Sequence, residues 1–148
     1  MESGAQGEKV ATHERRMNAS GLTFDTGVLI ALERRQQRAW NVYRLATSRK
    51  VRVTVPTAVI AEWWRGRSDV RDRIKTAITL IPFPVRAAEA AGVALGQIRG
   101  ERDRAKLSVD VMVMAFAATL GGALVYTSDL DDLQKLTRYF PEVRLLGI

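Results

Sequence analysis

The segment Leu22–Leu32 reads LTFDTGVLIAL, and Asp25 is its only charged residue. A short apolar run of this kind, preceded by Ser20–Gly21 and followed by a charged stretch, is typical of a strand buried on both faces of a parallel sheet. A buried carboxylate is costly unless it has a hydrogen-bonded partner, a cation or a raised pKa. We therefore predict that Asp25 lies at the carboxyl end of a central strand, where open α/β sheets bind ligands. The alternative is that Asp25 caps the helix that follows.

The composition indicates one domain and excludes several kinds of chemistry. With 148 residues, 47% of them hydrophobic, the chain can bury a core without disulfides. We expect residues 1–20 to form a disordered or extended leader and residues 21–148 to form the domain. The chain has no cysteine, which excludes thiolate sites. Its one histidine, His13, lies in the leader, which argues against zinc centres built on histidine clusters and against serine–histidine triads. Hydrolysis would therefore depend on carboxylates, which favour Mg²⁺ or Mn²⁺.

The net charge of the chain is +7, from 23 basic and 16 acidic residues. Such an excess favours a polyanionic partner, and the alternative is a solvated basic surface without a ligand. No apolar run is long enough to span a membrane, and the leader lacks the apolar core of a secretory signal. We expect a soluble, cytoplasmic protein without a membrane partner.

Strand patterns alternate with helical patterns along the rest of the chain. This alternation predicts a three-layer α/β sandwich with a mostly parallel central sheet. Trp63 and Trp64 are expected to pack in the core or an interface rather than to stack on bases. The predicted strands after the first are Val51–Val55, an edge strand over Leu80–Val85, Ala123–Tyr126 and Val143–Ile148. Helices are predicted over Ile30–Lys50 (one or two helices), Thr57–Arg65, Ser68 to about Leu80, Arg86 to about Gly100, and Leu130–Phe140. A further helix is predicted to be capped by Ser108 and to end at Gly121–Gly122.

Four acids lie at comparable places in this pattern. Asp25 and Asp129 follow strands, Asp110 lies in the predicted first turn of the helix capped by Ser108, and Glu62 lies in an apolar helix. Acids gathered at one edge of a sheet repel one another unless a divalent cation lies between them. The alternative is that each acid caps its own helix. We predict that the four acids converge on a metal ion.

The ordered motifs DTGVLIAL with Asp25, AEWWRG with Glu62, SVDVMVMAFA with Asp110 and TSDLDDL with Asp129 resemble a PIN domain of the VapC toxin type. The resemblance extends from about Leu22 to the C-terminus. It implies a Mg²⁺- or Mn²⁺-dependent endoribonuclease, usually a homodimer, that a cognate antitoxin holds inactive. Asp25 and Asp110 are then direct metal ligands, Asp129 binds a second metal or a coordinated water, and Glu62 positions or deprotonates the attacking water.

The sequence departs from the pattern of that family at two positions near the acids. Position 27 is glycine where many relatives have asparagine, and position 132 is aspartate where an aromatic residue is common. Both departures leave the four acids in place, whereas a catalytically inactive RNA-binding or scaffold module, the main alternative, would have lost one. A phosphoacceptor domain is disfavoured because Phe24 and Gly27 stand where it would need a second acid. Candidates for binding the RNA backbone are Arg65, Arg67 and the basic residues within Arg99–Lys106.

Overall fold

The computed structural model of the chain describes residues 21–121 and 123–148, so the predicted leader and Gly122 lie outside the described residues. The described part forms one sheet in the order β3-β2-β1-β4-β5, with every neighbouring pair parallel. This confirms the predicted parallel sheet. The strands are β1 (Leu22–Phe24), β2 (Val53–Pro56), β3 (Thr79–Ile81), β4 (Leu124–Thr127) and β5 (Arg144–Gly147).

Seven helices in the described ranges connect these strands and complete the three layers. The chain passes from β1 through β2 to β3 and then crosses to β4 on the other side of β1. With right-handed crossovers, this change of direction places the first four helices on one face of the sheet and the last three on the other. The helices are α1 (Thr26–Glu33), α2 (Gln37–Ser48), α3 (Thr57–Trp63), α4 (Asp69–Ala77), α5 (Val85–Gln97), α6 (Glu101–Thr119) and α7 (Leu130–Leu136).

The first predicted strand was wrong beyond Phe24, because Thr26–Glu33 is helical. Asp25 ends the strand and begins the helix: its side-chain Oδ1 accepts a hydrogen bond from the backbone N–H of Val28 at 3.0 Å. The run Leu22–Leu32 is apolar because β1 and most of α1 are both buried. Periodicity alone does not separate a buried strand from a buried helix in such a run. Asp25 is therefore both a strand end and an N-cap.

The predicted start of the long helix at Ser108 was also wrong. Helix α6 begins at Glu101, after Gly100 with φ of 91°, and Ser108 lies inside it, where its hydroxyl donates to the carbonyl of Ala105 at 3.0 Å. Acids in the first turn, Glu101 among them, favour this earlier start because they complement the helix dipole. Asp110 consequently lies in the middle of α6, where the backbone N–H groups are already paired.

Several other elements confirm the sequence predictions. Ser68 caps α4 through a hydrogen bond to the N–H of Arg71, and β3 is an edge strand. Trp63 is buried in the core, as predicted, and Trp64 is half-buried. Within the residues described, no helix has the length and apolar character needed to cross a membrane.

Candidate active site

The carboxyl ends of the neighbouring strands β1 and β4 bring Asp25 and Asp129 together. β1 and β4 are parallel neighbours, with Phe24 opposite Tyr126, so the residues that follow them lie at the same edge of the sheet. The backbone N–H of Asp25 donates to the carbonyl of Tyr126 at 3.2 Å. Asp25 and Asp129 are therefore placed by the register of the sheet.

Asp25 is buried, with 4% of its surface exposed. Burial raises the pKa of its carboxyl group above the ordinary value. Hydrogen bonds from the Thr127 hydroxyl and from the backbone N–H groups of Val28 and Ser128 oppose that rise, and the charge of Asp129 adds to it. Thr127 is fully buried, and its hydroxyl also accepts the N–H of Asp129 at 2.8 Å. Thr127 thus holds the carboxyl group of Asp25 and the backbone of Asp129.

Asp110 is the electrostatic centre of the site. Its pKa is raised to about 7, first by burial and then by the charges of other carboxylates. Burial by itself raises the pKa of a carboxyl group, and nearby negative charges without compensation raise it further. Those carboxylates belong to Asp25, Asp129, Glu62 and Asp132, in decreasing order of effect. The structure therefore brings all four sequence-predicted acids to one place and adds a fifth.

Asp132 is the residue that the sequence reasoning left without a role. Carboxylate oxygens of Asp110, Asp129 and Asp132 all lie within 4.8 Å of one another. Asp132 is the third residue of α7, and side chains in a first helical turn point back toward the helix start, next to Asp129. Partial burial and then the Asp132 carboxyl raise the pKa of Asp129. The spacing of three residues was the available signal.

Glu62 lies on α3, which packs against α6, and its side chain is exposed. Its charge contributes to the raised pKa of Asp110, so it borders the cluster from the side of α3. Within the described ranges it forms no ion pair and no side-chain hydrogen bond. Glu62 and Asp129 are therefore the exposed acids of this group, whereas Asp25 is buried and Asp110 and Asp132 are half-buried.

The cluster fits a divalent metal ion. Carboxylate oxygens are the hard ligands that Mg²⁺ and Mn²⁺ prefer, and three of them lie close enough to share one ion. In the part of the chain that the structure describes, no Lys or Arg forms an ion pair with Asp25, Asp110 or Asp129. Lys135 lies 3.8 Å from Asp132, and Lys106 lowers the pKa of Asp129. The negative charge at Asp110 thus has no basic partner, which a cation would supply.

Gly27 permits a close approach at the edge of the site. A Cβ atom at this position would overlap the hydroxyl of Ser128, lie 3.0 Å from its Cβ and lie 3.6 Å from Asp25 Oδ1. The glycine therefore leaves the space that the Ser128 side chain fills. Helix α1 and the turn after β4 come together at this point.

Three of the arginines predicted to bind RNA have local hydrogen-bond or ion-pair partners. Arg67 pairs with Asp72 at 3.2 Å, and Arg104 donates to the carbonyl of Ile98 at 2.9 Å. Arg65 donates to the carbonyl of its neighbour Trp64. Arg67 is 83% exposed, so its pairing leaves most of the side chain in solvent.

The fold of this chain is similar to that of chains in solved protein complexes. No family model matches the sequence, and no curated protein matches it. A chain of VapBC2 from Rickettsia felis, solved bound to a DNA fragment from the promoter, is 13% identical over 86% of this chain and 98% of its own length, with a TM-score of 0.62. A chain of DNA-bound VapBC from Salmonella typhimurium is 17% identical over 85% and 96%, with a TM-score of 0.59. The chain therefore has the PIN-like α/β fold found in these two VapBC complexes.

Proposed function

We propose that the chain is a VapC-type toxin, a metal-dependent endoribonuclease that hydrolyses phosphodiester bonds of RNA. One observation carries the proposal: acids from separate segments gather around Asp110 at the carboxyl edge of the sheet. Carboxylate oxygens of Asp110, Asp129 and Asp132 lie within 4.8 Å of one another. The charges of Asp25, Asp129 and Glu62 all raise the pKa of Asp110. The fold shared with chains of VapBC complexes supports it. A structural role alone would not require four uncompensated acids at one point, because each of them costs stability.

Asp110, Asp129 and Asp132 would hold the first ion, with Asp25 beside them as a further ligand. A bound Mg²⁺ or Mn²⁺ ion activates a water molecule as nucleophile and neutralises negative charge on the phosphate. Thr127 and the N–H of Val28 fix the Asp25 carboxylate, so its orientation does not depend on the substrate. Glu62 is exposed and adjacent, which suits a group that orients the attacking water and accepts its proton.

The proposal includes a protein partner and a cellular location. Both solved relatives are VapBC complexes, and we infer that this chain likewise pairs with a cognate antitoxin. The acid cluster is itself a binding site for a cationic group, so an arginine supplied by the antitoxin would compete with the metal. We further propose that the toxin is a homodimer that acts in the cytoplasm on RNA.

The test is RNA cleavage by purified protein. Labelled total RNA is incubated with the wild-type chain in Mg²⁺, in Mn²⁺ and in a chelator, beside the Asp110→Asn variant and an Asp131→Asn control. We expect endonucleolytic products only with a divalent ion, full activity in the control and none in Asp110→Asn. Cleavage that persists in the chelator, or equal cleavage by the Asp110→Asn protein, would refute the proposal. Binding of RNA without any cleavage under these conditions would instead favour an inactive RNA-binding module.

A further inference from the structure

The net positive charge of the chain arises in one segment, away from the acid cluster. Between Arg34 and Ala61 there is no aspartate or glutamate, while seven of the 23 basic residues lie between Arg34 and Arg52. The remaining 16 basic residues are matched by the 16 acids of the chain, so this segment accounts for the whole charge of +7. A charge asymmetry of this kind indicates a surface for a polyanion.

The structure collects six of these seven residues around α2. Arg34 and Arg35 follow the last residue of α1, Arg38 and Arg44 lie on α2, and Lys50 and Arg52 lie between α2 and β2. All six side chains are exposed. We call this group the α2 basic surface. A helix of 12 residues is about 18 Å long, so the surface is long enough to contact several phosphates of a nucleic acid strand.

Two members of this surface, Arg34 and Arg52, lie at the opposite end of the sheet from the acid cluster. Asp25 caps the start of α1 and Arg34 caps its end, which separates the two by the helix length of about 12 Å. The carbonyl of Arg52 accepts the N–H of Leu22, so Arg52 lies at the amino end of the central strands. Arg34 and Arg52 therefore lie at the other end of the central strands from the acid cluster.

Internal ion pairs do not explain the α2 basic surface. Across residues 21–121 and 123–148, none of its six members forms a salt bridge, whereas Arg67 and Arg71 pair with Asp72 and Glu33 at 3.2 and 2.9 Å. Arg44 donates a side-chain hydrogen bond to Asn41 on the same helix. Their charged groups are therefore available to a ligand.

Helix stability accounts for the surface only in part. Basic residues near the C-terminal ends of α1 and α2, such as Arg34 and Lys50, interact favourably with the helix dipole. Arg38, however, lies in the first turn of α2, where a positive charge interacts unfavourably with the dipole. Arg35 and Lys50 have φ of 59° and 56°, a backbone conformation that favours glycine. These positions thus keep basic side chains where backbone geometry and the dipole favour other residues.

We propose that the α2 basic surface is a second RNA-binding surface, which binds the phosphate backbone of the substrate away from the cleaved bond. Five of its six members are arginines, whose planar guanidinium groups bind phosphate oxygens in pairs. A protein partner would need apolar anchors, and among the exposed large hydrophobic side chains of the described residues only Leu45 lies in this segment. The proposal rests on the proposed function and deepens it: the substrate must be long enough to reach both ends of the sheet.

The experiment measures binding without requiring cleavage. Dissociation constants for poly(U) are determined over a range of salt concentrations for wild type, for Arg34→Ala/Arg38→Ala/Arg44→Ala and for a control triple variant with the same charge change. The control replaces three exposed arginines outside the surface, Arg73, Arg86 and Arg144, by alanine. Polyglutamate serves as the acidic polypeptide probe. Circular dichroism checks folding, and the single variants Arg38→Ala and Arg44→Ala replace the triple variant if it does not fold.

We expect the surface variant to weaken poly(U) binding roughly tenfold and to reduce the salt slope by about 2, since each lost single-strand phosphate contact contributes about 0.7. The control should keep the wild-type slope. Equal losses in both triple variants, no loss in either, or a matching loss of polyglutamate binding would overturn the proposal. If wild type binds poly(U) through this surface but cleaves no RNA, only the proposed nuclease function is contradicted. If wild type cleaves RNA and the surface variant binds poly(U) as tightly as wild type, only the proposed surface is contradicted.

Discussion

Asp25 is fixed by the backbone of the helix that it caps, because its Oδ1 accepts the N–H of Val28 at 3.0 Å. The same carboxyl group contributes to the raised pKa of Asp110. One side chain therefore has a structural task that needs an oxygen acceptor and an electrostatic task that needs a charge. These two tasks can be separated by substitution.

The Asp25→Asn variant should fold as well as wild type and lose metal-dependent cleavage. Its amide oxygen still accepts the N–H of Val28, while the charged metal ligand is gone. Asp25→Ala removes the cap as well and should be less stable than Asp25→Asn by about 1 kcal/mol. Urea unfolding measures the stability difference, and an RNA cleavage assay measures activity. An Asp25→Asn protein with wild-type cleavage would contradict the assignment of Asp25 to the metal.

The metal-free protein should lose stability as the pH rises from about 4 to about 7. The pKa of Asp110 is raised from 3.8 to about 7 in the folded chain, so over this range the folded state keeps a proton that the unfolded state has released. The stabilising contribution is complete below the unfolded pKa and is lost as the pH passes the folded pKa. Asp110→Asn should be more stable at pH 8 by roughly 1 to 2 kcal/mol, after allowance for solvent screening at this half-buried site.

Urea unfolding at several pH values, with and without Mg²⁺, measures this effect. Mg²⁺ should restore stability at pH 8 in wild type, because binding to the folded state alone adds to its stability, and should have little effect on Asp110→Asn. If the free energy of unfolding changes between pH 4 and 7 by the same amount in wild type and in Asp110→Asn, the pKa of Asp110 is not raised in the folded protein.

The sequence predicted the sheet and the acids better than it predicted the bounds of the helices. Parallel strands could be recognised because each is a short apolar run, and Asp25 and Asp129 could be placed because each directly follows such a run. The start of α6 was missed because Ser108 is a good cap residue, while the charged stretch after Gly100 has no apolar period to mark a helix. Local signals compete at such positions, and tertiary packing decides between them.

Convergence of the acids is a tertiary property that no local pattern contains. The order of the motifs predicted that Glu62 and Asp110 lie near the strand ends, but the effect of Glu62 on Asp110 depends on the packing of α3 against α6. Asp132 received no role because its inclusion depends on the helix start at Leu130, which turns its side chain back toward Asp129. The acid-free segment was visible in the sequence, but its distance from the site required the fold.

Asp132→Asn should weaken Mg²⁺ binding by about tenfold or more, because it removes one of the three carboxylates that lie within 4.8 Å of one another. Its neighbour Asp131 lies in the same helical turn, is exposed and is outside that group, so Asp131→Asn is a control with the same charge change. Isothermal titration with Mg²⁺ at pH 8 gives both affinities. Equal affinities for the two variants would remove Asp132 from the metal site.

Glu33→Ala should destabilise the protein by about 2 to 3 kcal/mol, because it leaves a donor on buried Trp63 and one on half-buried Arg71 without their acceptor. The carboxylate of Glu33 accepts from Trp63 Nε1 at 3.0 Å and from Arg71 at 2.9 Å, which joins α1, α3 and α4. Glu89→Ala, an exposed change on α5, should have an effect below about 0.5 kcal/mol. Thermal unfolding of both variants provides the measurement, and a Glu33→Ala protein as stable as Glu89→Ala would show that this contact adds nothing.

Gly27→Ala should disturb the active site, and a second substitution should restore it. The added methyl group would overlap the Ser128 hydroxyl and lie 3.0 Å from Ser128 Cβ, so the turn after β4 must move even after the hydroxyl rotates away. The N–H of Ser128 supports the Asp25 carboxylate, and Asp129 is the next residue, so this movement displaces two acids together. We expect cleavage to fall roughly tenfold, since a misplacement near 1 Å can cost about 100-fold.

Ser128→Gly removes the atoms that collide, and the double variant should regain most of the lost activity, whereas Ser128→Gly alone should stay close to wild type. Cleavage rates at saturating Mg²⁺ for the four proteins form a double-mutant cycle, and the expected result is a coupling between the two positions that cancels most of the Gly27→Ala loss. Purely additive losses would mean that the close approach of α1 to the turn after β4 does not position the acids.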